Sequence, residues 1–137
     1  MKIFLDANVL VSVLNHEYPV YSYSSRVLSL AGQPRFKLYT SPLALAIAFY
    51  FAEKKNRSSA RHKIAVLSTK LNITAMNADT IIETIKNKQV HDFEDGLQYY
   101  SAVENGCKAI ISEDKEGFYF SEIEVMTSRA FMEKYLF

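Results

Sequence analysis

Three aspartates in this 137-residue chain stand where a parallel sheet would bring them together. Asp6 and Asp114 each follow a short apolar run that predicts a buried strand, and Asp95 opens a predicted helix leading into the second of these strands. Ligands of open α/β sheets bind outside the carboxyl ends of the strands. Carboxylates at that edge suit a hard divalent cation such as Mg²⁺ or Mn²⁺. The spacing therefore predicts a metal site.

The composition is that of one domain, residues 1–137, which we expect to be soluble and cytoplasmic. The chain is 49% hydrophobic and 23% charged, with a net charge of +1 that argues neither for nor against nucleic acid. A single cysteine, Cys107, excludes an internal disulfide and fits a reducing compartment. The apolar stretch 42–52 is too short to cross a membrane, so no membrane association is expected.

Alternating apolar runs and helical patterns predict five strands separated by helices. The predicted strands are 2–5, 36–40, 72–76, 108–112 and 123–126. The predicted helices are 7–14, 19–31, 42–55, 58–70, 78–88, 93–104 and 128–136. Apolar strands that alternate with helices predict a three-layer α/β/α fold, with a parallel sheet covered on both faces.

The order of these elements places the acids at one point. Right-handed crossovers give the strand order 3-2-1-4-5, with strands one and four adjacent where the winding reverses. Asp6 and Asp114 then lie at the mouth of that crevice, and the start of the helix carrying Asp95 lies at the same edge. Taken singly, Asp6 could be an ordinary strand end, Asp114 a turn former, and Asp92 with Asp95 a helix cap. Three separate segments pointing to one place favour a functional site.

The whole chain resembles the PIN domain, the nuclease fold of the toxins in VapBC-type toxin–antitoxin pairs. The resemblance rests on five segments in the same order along the chain. These segments are IFLDANVL (3–10), YTSPL (39–43), DFEDGLQ (92–98), IISEDKEGF (110–118) and EVMTSRAF (124–131).

This resemblance implies a metal-dependent endoribonuclease in which Asp6, Asp95 and Asp114 bind Mg²⁺ or Mn²⁺. The ion would activate a water molecule and shield charge on the phosphate, and Asp95 or Asp114 would also orient the water. The implied partners are RNA and a small antitoxin protein. The supporting polar positions are Asn8, Ser41, Asp92, Glu94, Ser112 and Glu113.

One departure from the family pattern opens a second hypothesis. PIN nucleases usually carry another acid in the helix after the second strand, and that position falls on Ile47. Glu53 lies six residues further, about 240° around the helix, and does not replace it. Gly117 stands where a further acid is common, although Glu94 and Glu113 are expected to compensate in part. The alternative is a PIN-fold binding module that is weakened or inactive as a nuclease.

A basic cluster and an excess of aromatic residues complete the sequence-based expectations. The cluster favours a solvated connection between two helices, and its functional alternative is contact with RNA phosphates beside the acids. The aromatic residues exceed what one small core needs; most are expected in the core, and the resemblance assigns some of the others to an antitoxin groove or a homodimer face. The members of the basic cluster are Lys54, Lys55, Arg57, Arg61, His62 and Lys63.

Two other protein classes place an aspartate after the first strand. Aspartyl phosphatases have a second aspartate two residues later, where this chain has Asn8. Phospho-receiver domains have paired acids ahead of a phosphorylated aspartate after the third strand, and the sequence has no such arrangement. Both classes rank below the PIN hypotheses.

Overall fold

A five-stranded parallel sheet runs through the centre of the computed structural model, which describes residues 1–136. The strands are β1 (Lys2–Leu5), β2 (Lys37–Thr40), β3 (Asn72–Ile73), β4 (Ala109–Ile111) and β5 (Glu124–Met126). The helices are α1 (Ala7–Leu14), α2 (Tyr21–Leu28), α3 (Pro42–Lys55), α4 (Arg57–Lys70), α5 (Ala78–Lys86), α6 (Phe93–Glu104) and α7 (Ser128–Tyr135).

The strand order is β3-β2-β1-β4-β5, so the predicted topology is confirmed. β1 pairs with β4 in a register that sets Ile3 opposite Ala109 and Leu5 opposite Ile111. The residues that follow these strands therefore leave the sheet side by side. The backbone N–H of Asp6 continues the ladder by donating to the carbonyl of Ile111, at 3.0 Å.

The two faces of the sheet carry separate apolar cores, as expected for strands buried on both sides. Ile3 and Leu5 pack in the larger core, whereas Phe4 points the other way and packs with Ile110 and Tyr99 of α6. This alternation along β1 anchors the strand in both layers. The start of α1 and the start of α6 are thereby fixed relative to the same strand ends.

Side-chain caps fix where the helices next to the site begin. Ser41 accepts a hydrogen bond from the N–H of Ala44 at 2.9 Å, and Pro42 occupies the first turn of α3, as predicted. Asp92 accepts from the N–H of Glu94 at 2.9 Å and caps α6. The site-facing end of α6 is therefore set by its sequence.

The structure corrects several predicted boundaries. β3 is two residues long, because the chain bends away after Thr74, and the Ala75 carbonyl accepts from Ser101 instead of a neighbouring strand. The helix predicted for 19–31 is regular only over Tyr21–Leu28 and then tightens into i→i+3 turns before Gly32, whose φ is +86°. A 3₁₀ helix at Lys115–Phe118, absent from the prediction, follows β4.

Among residues 1–136, none of the helices is both long and apolar enough to cross a membrane.

Candidate active site

A cavity of about 420 Å³ opens at the carboxyl edge of the sheet, and six carboxylate side chains line it. We call it the acidic cavity. Asn8 and Ile47 also line it, so the position of the missing family acid faces the cavity with an apolar side chain. The six acids are Asp6, Glu17, Asp92, Glu94, Asp95 and Asp114.

Asp6 is the buried member of this set and is held by three donors. Its Oδ1 accepts from the N–H of Ala7 at 2.7 Å. Its Oδ2 accepts from the hydroxyl of Ser112 at 2.8 Å and from the amide of Asn8 at 3.4 Å. The Ser112 oxygen in turn accepts from the N–H of Asp114 at 3.1 Å. Ser112 therefore couples the carboxylate after β1 to the loop after β4.

Asn8 strengthens the same junction. Its amide nitrogen lies 3.2 Å from the Ser112 hydroxyl, and its carbonyl oxygen accepts from the N–H of Glu113 at 3.0 Å. The two supporting positions implied by the resemblance, Asn8 and Ser112, thus form one network with Asp6. This network ties α1 to the loop that carries Asp114.

Gly117 sits directly against two of the carboxylates. A Cβ atom at this residue would lie 2.9 Å from Asp95 Oδ2 and 3.1 Å from Asp114 Oδ2. Both oxygens therefore face the same small volume beside the glycine. The absence of a side chain at Gly117, which the sequence showed only as a missing acid, is what lets α6 and the loop after β4 bring their acids this close.

Burial and mutual repulsion raise the pKa of three of these acids, Asp6, Glu94 and Asp95. Burial is the main cause that raises the pKa of Asp6 above its usual value, and repulsion from Asp114 adds to it, while the Ser112 hydrogen bond opposes it. Burial, then repulsion from Asp92, raises the pKa of Asp95 to about 7. A divalent cation would relieve this repulsion.

The three predicted ligands all line the acidic cavity, but they are not preassembled as a metal site. Among residues 1–136, no three acidic, histidine or cysteine side chains form a preassembled set of metal ligands. The Asp6 oxygens accept from Ala7 and Ser112, and the binding of one ion by Asp6, Asp95 and Asp114 stays a prediction. The donors in the cavity are nevertheless hard oxygens of the kind that Mg²⁺ and Mn²⁺ take.

Two residues predicted to support the site act elsewhere. The Glu113 carboxylate accepts from the N–H of Ser128 at 2.9 Å and so satisfies the start of α7, outside the acidic cavity. Glu113 therefore does not compensate for the missing acid. Ser41 is buried, and besides capping α3 it donates to Gln98 at 2.5 Å. Asp92 and Glu94, in contrast, line the cavity as predicted.

The five basic residues predicted to bind RNA are not part of the acidic cavity lining. Lys55 donates to the carbonyl of Asn15, and Lys63 donates to the carbonyl of Leu14 at 3.2 Å. Both lysines thus satisfy free carbonyls at the C-terminal end of α1, where cations are favoured. Lys54 lies over the ring of Tyr50, 5.1 Å from its centroid. Arg57 and Arg61 are exposed on α4.

Sequence reasoning missed one acid of the cavity and one buried polar residue that contacts the start of α3. Glu17 lies in the loop after α1, and no periodicity marks it, because only the path of that loop brings its carboxylate to the cavity. Gln98 lies one turn after Asp95 and is fully buried, with its amide nitrogen unpaired. A glutamine at a helix position that should face the core was the available signal.

The family of the chain follows from comparison with known proteins. A model of the PIN domain matches residues 2–116. Ribonuclease VapC1 of Aquifex aeolicus is 30% identical over 138 residues, which span 98% of this chain and 95% of the relative. The chain belongs to the PIN domain family.

Solved structures agree on the fold. VapBC-1 from nontypeable Haemophilus influenzae has a chain that superposes with a TM-score of 0.71 at 17% identity, over 94% of this chain and 99% of its own length. Mycobacterium tuberculosis VapC20, a toxin that cleaves the sarcin–ricin loop, superposes with a TM-score of 0.67 at 17% identity, over 89% and 98%. At these identities the likeness concerns the fold.

Proposed function

We propose that this protein is an endoribonuclease that hydrolyses RNA phosphodiester bonds with Mg²⁺ or Mn²⁺. The observation that carries the proposal is the acidic cavity, where carboxylates from β1, α6 and the loop after β4 meet at the switch point of a parallel sheet. The similarity to a named ribonuclease over nearly the full length supports RNA as the substrate.

Asp6, Asp95 and Asp114 are the proposed metal ligands, with Asp92 and Glu94 adding negative charge around them. When bound, the cation supplies a water of lowered pKa and a Lewis acid for a phosphate oxygen. Asp6 is oriented by Ser112 and Asn8, so its position is fixed before the ion arrives. Asp95 or Asp114 would also orient the attacking water.

We further propose that the protein is the toxin of a toxin–antitoxin pair in the cytoplasm, restrained by a small antitoxin. The support is its likeness to Ribonuclease VapC1 and to chains solved within VapBC complexes. The basic cluster at Lys54–Lys63 remains a candidate for contact with RNA phosphates, although none of its members lines the acidic cavity. A homodimer remains a proposal of the same kind.

One observation favours a second candidate function. Ile47 occupies the cavity wall where PIN nucleases usually have an acid, and fewer carboxylates weaken metal affinity. A PIN-fold binding module with little or no nuclease activity fits this feature. Glu17 lines another part of the cavity wall and adds a carboxylate that the family pattern does not include.

RNA cleavage by purified protein separates these functions. Wild-type protein should cleave RNA with Mg²⁺ or Mn²⁺ and stop with EDTA. Asp6→Asn should abolish cleavage while keeping the fold, because the amide preserves size but removes a ligand charge. Glu133→Gln, on the exposed face of α7, is the matched control and should cleave as wild type does.

The outcome that favours the binding module is equally definite. Wild-type protein that is folded, yet inert toward a broad RNA panel with either metal, would overturn the nuclease proposal. If Ile47→Glu then cleaves, the missing acid is the reason.

A further inference from the structure

Glu17 reaches the acidic cavity from a different part of the chain than the other acids do. It lies in the loop between α1 and α2 and lines the cavity together with Val11, Ile47 and Phe51. The other five acids come from the end of β1, the start of α6 and the loop after β4. Glu17 therefore brings a carboxylate to the side of α1 and α3, where Ile47 leaves the wall without one.

The turn at the end of α1 directs the chain back toward the cavity. His16 has a φ of +49°, in the left-handed region that residues other than glycine rarely adopt. The N–H of His16 donates to the carbonyl of Val13 at 3.4 Å. The N–H of Glu17 donates to the carbonyl of Ser12 at 2.9 Å, which completes a Schellman motif at the helix end. The path that carries Glu17 to the cavity is therefore set by the way α1 ends.

Asn15 fastens this turn to α3 close to Ile47. Asn15 is buried, and its side-chain amide donates to the carbonyl of Phe51 at 3.3 Å, one helical turn after Ile47. The carbonyl of Asn15 accepts from Lys55, one turn further along α3. Two contacts thus hold the loop against the stretch of α3 that lacks the family acid. Glu17 follows Asn15 by two residues and is held beside that stretch.

The carboxylate of Glu17 is exposed and is not committed to another partner. Burial, then repulsion from each of the other four acids that line the cavity with them, raises the pKa of Asp95 to about 7, and Glu17 is not among these causes. Glu17 therefore stands apart from the other acids, so a cation in the cavity would meet negative charge from two sides. The salt bridges among residues 1–136 use other glutamates, namely Glu83, Glu124 and Glu133.

We propose that Glu17 supplies, from the loop after α1, the carboxylate that PIN nucleases usually carry at the position of Ile47. This inference rests on the proposed nuclease function and adds a positioning residue to its metal site. Mg²⁺ keeps several water molecules when it binds to a protein. Glu17 acts on the hydrated cation by its charge and by accepting hydrogen bonds from these waters, as residues outside the ligand set commonly do.

The affinity for Mg²⁺, measured by calorimetric titration, tests this role. Glu17→Gln keeps the size of the side chain and removes its charge, so the affinity should fall about tenfold, the lower end for a residue that acts through the ligands of a metal. The Tm in EDTA should stay unchanged, because the exposed carboxylate makes no salt bridge in the metal-free protein. Glu122→Gln is the matched control, because Glu122 is exposed in a loop, does not line the cavity and carries the same charge.

A double variant tests whether the two positions serve the same cation. Glu17→Gln combined with Ile47→Glu moves the carboxylate from the loop to α3 and keeps the net charge of the wild-type protein. Both side chains line the same cavity, so the double variant should recover the Mg²⁺ affinity that Glu17→Gln loses. Its Tm in EDTA serves as the check that the protein is folded.

Three outcomes would overturn the inference and leave the nuclease proposal standing. Glu17→Gln binds Mg²⁺ as tightly as the wild-type protein, or Glu122→Gln loses as much affinity, or the folded double variant binds no better than Glu17→Gln. Failure of the nuclease proposal has a different result. Wild-type protein that binds Mg²⁺ and leaves RNA uncut overturns the nuclease alone, whereas wild-type protein that binds neither Mg²⁺ nor Mn²⁺ overturns both.

Discussion

Replacing Gly117 by alanine should separate the stability of this protein from the chemistry of its acidic cavity. The added Cβ would lie 2.9 Å from Asp95 Oδ2 and 3.1 Å from Asp114 Oδ2, where ordinary contact begins near 3.4 Å. The two oxygens must therefore retreat by a few tenths of an ångström. The backbone itself permits alanine, because Gly117 is not among the glycines with positive φ.

The expected magnitudes differ for folding and for function. Both neighbouring atoms are ends of side chains, so relief needs no backbone movement, and alanine restricts the unfolded chain by about 0.4–1 kcal/mol relative to glycine. The free energy of unfolding should stay level or rise slightly. Mg²⁺ demands near-ideal octahedral geometry, so displacing two of its ligands should weaken binding at least about tenfold. RNA cleavage should fall by a similar or larger factor.

Calorimetric titration with Mg²⁺ and urea unfolding of the same preparations measure the two effects. Gly96→Ala is the contrasting control, because its Cβ would lie 2.5 Å from Thr84 Cγ2 and 2.7 Å from Val90 Cγ1 in the packed contact between α5 and α6. That variant should lose about 1–3 kcal/mol of stability through overpacking. Unchanged metal affinity and cleavage in Gly117→Ala would refute the claim that this glycine sets the approach of the two acids.

Three further perturbations have defined outcomes. Ile47→Glu should tighten Mg²⁺ binding about tenfold by adding a carboxylate to the cavity wall; calorimetry that shows weaker binding would contradict this placement. The pKa of Asp95 is raised to about 7, so its contribution to the stability of the metal-free protein is present below pH 3.8 and is lost as pH rises through 7. The Tm of the metal-free protein should therefore fall over that range, and Asp95→Asn should make the Tm less dependent on pH. Over the same range the apparent Mg²⁺ affinity should rise, and an affinity independent of pH would argue against the shift. Glu113→Ala should lower the free energy of unfolding by about 1 kcal/mol, because the N–H of Ser128 loses its acceptor, while metal affinity stays unchanged. A loss of metal affinity in this variant would show that Glu113 contributes to the metal site.

The sheet could be predicted because each strand carries its own signal. Ile3, Phe4 and Leu5 are consecutive apolar residues, so side chains on both faces of this strand must be buried. The crossover rule then fixes which strands are adjacent. The convergence of Asp6 with Asp114 follows from that order alone, without any knowledge of side-chain packing.

The direction in which a side chain points was harder to predict than the edge of the sheet at which its residue lies. Ser112 donates to Asp6 and Asp114 lines the cavity, whereas Glu113 between them accepts from the start of α7. The expectation for Glu113 used its charge, and the bend after β4 that sets the direction of its side chain could not be foreseen. Lys55 and Lys63 donate to free carbonyls at the end of α1. This role depends on how α3 and α4 pack against α1, and the sequence alone does not indicate it.

Contacts that depend on a missing side chain or on distant packing could not be predicted from the sequence. Gly117 looked like the loss of an acid, yet its missing side chain is what admits the Asp95 and Asp114 oxygens to one volume. Gln98 carried no expectation in the sequence, and the structure joins it to Ser41 at the start of α3. Such contacts join segments far apart in the chain.

A Mn²⁺ titration followed by amide NMR tests whether Asp6, Asp95 and Asp114 together hold a divalent cation. Paramagnetic broadening should appear first at amides within 6–8, 92–96 and 112–117, should reverse with EDTA, and should be lost in Asp6→Asn. Broadening that is absent, that spreads over exposed carboxylates such as Glu133, or that survives Asp6→Asn unchanged would contradict the metal site and the mechanism built on it.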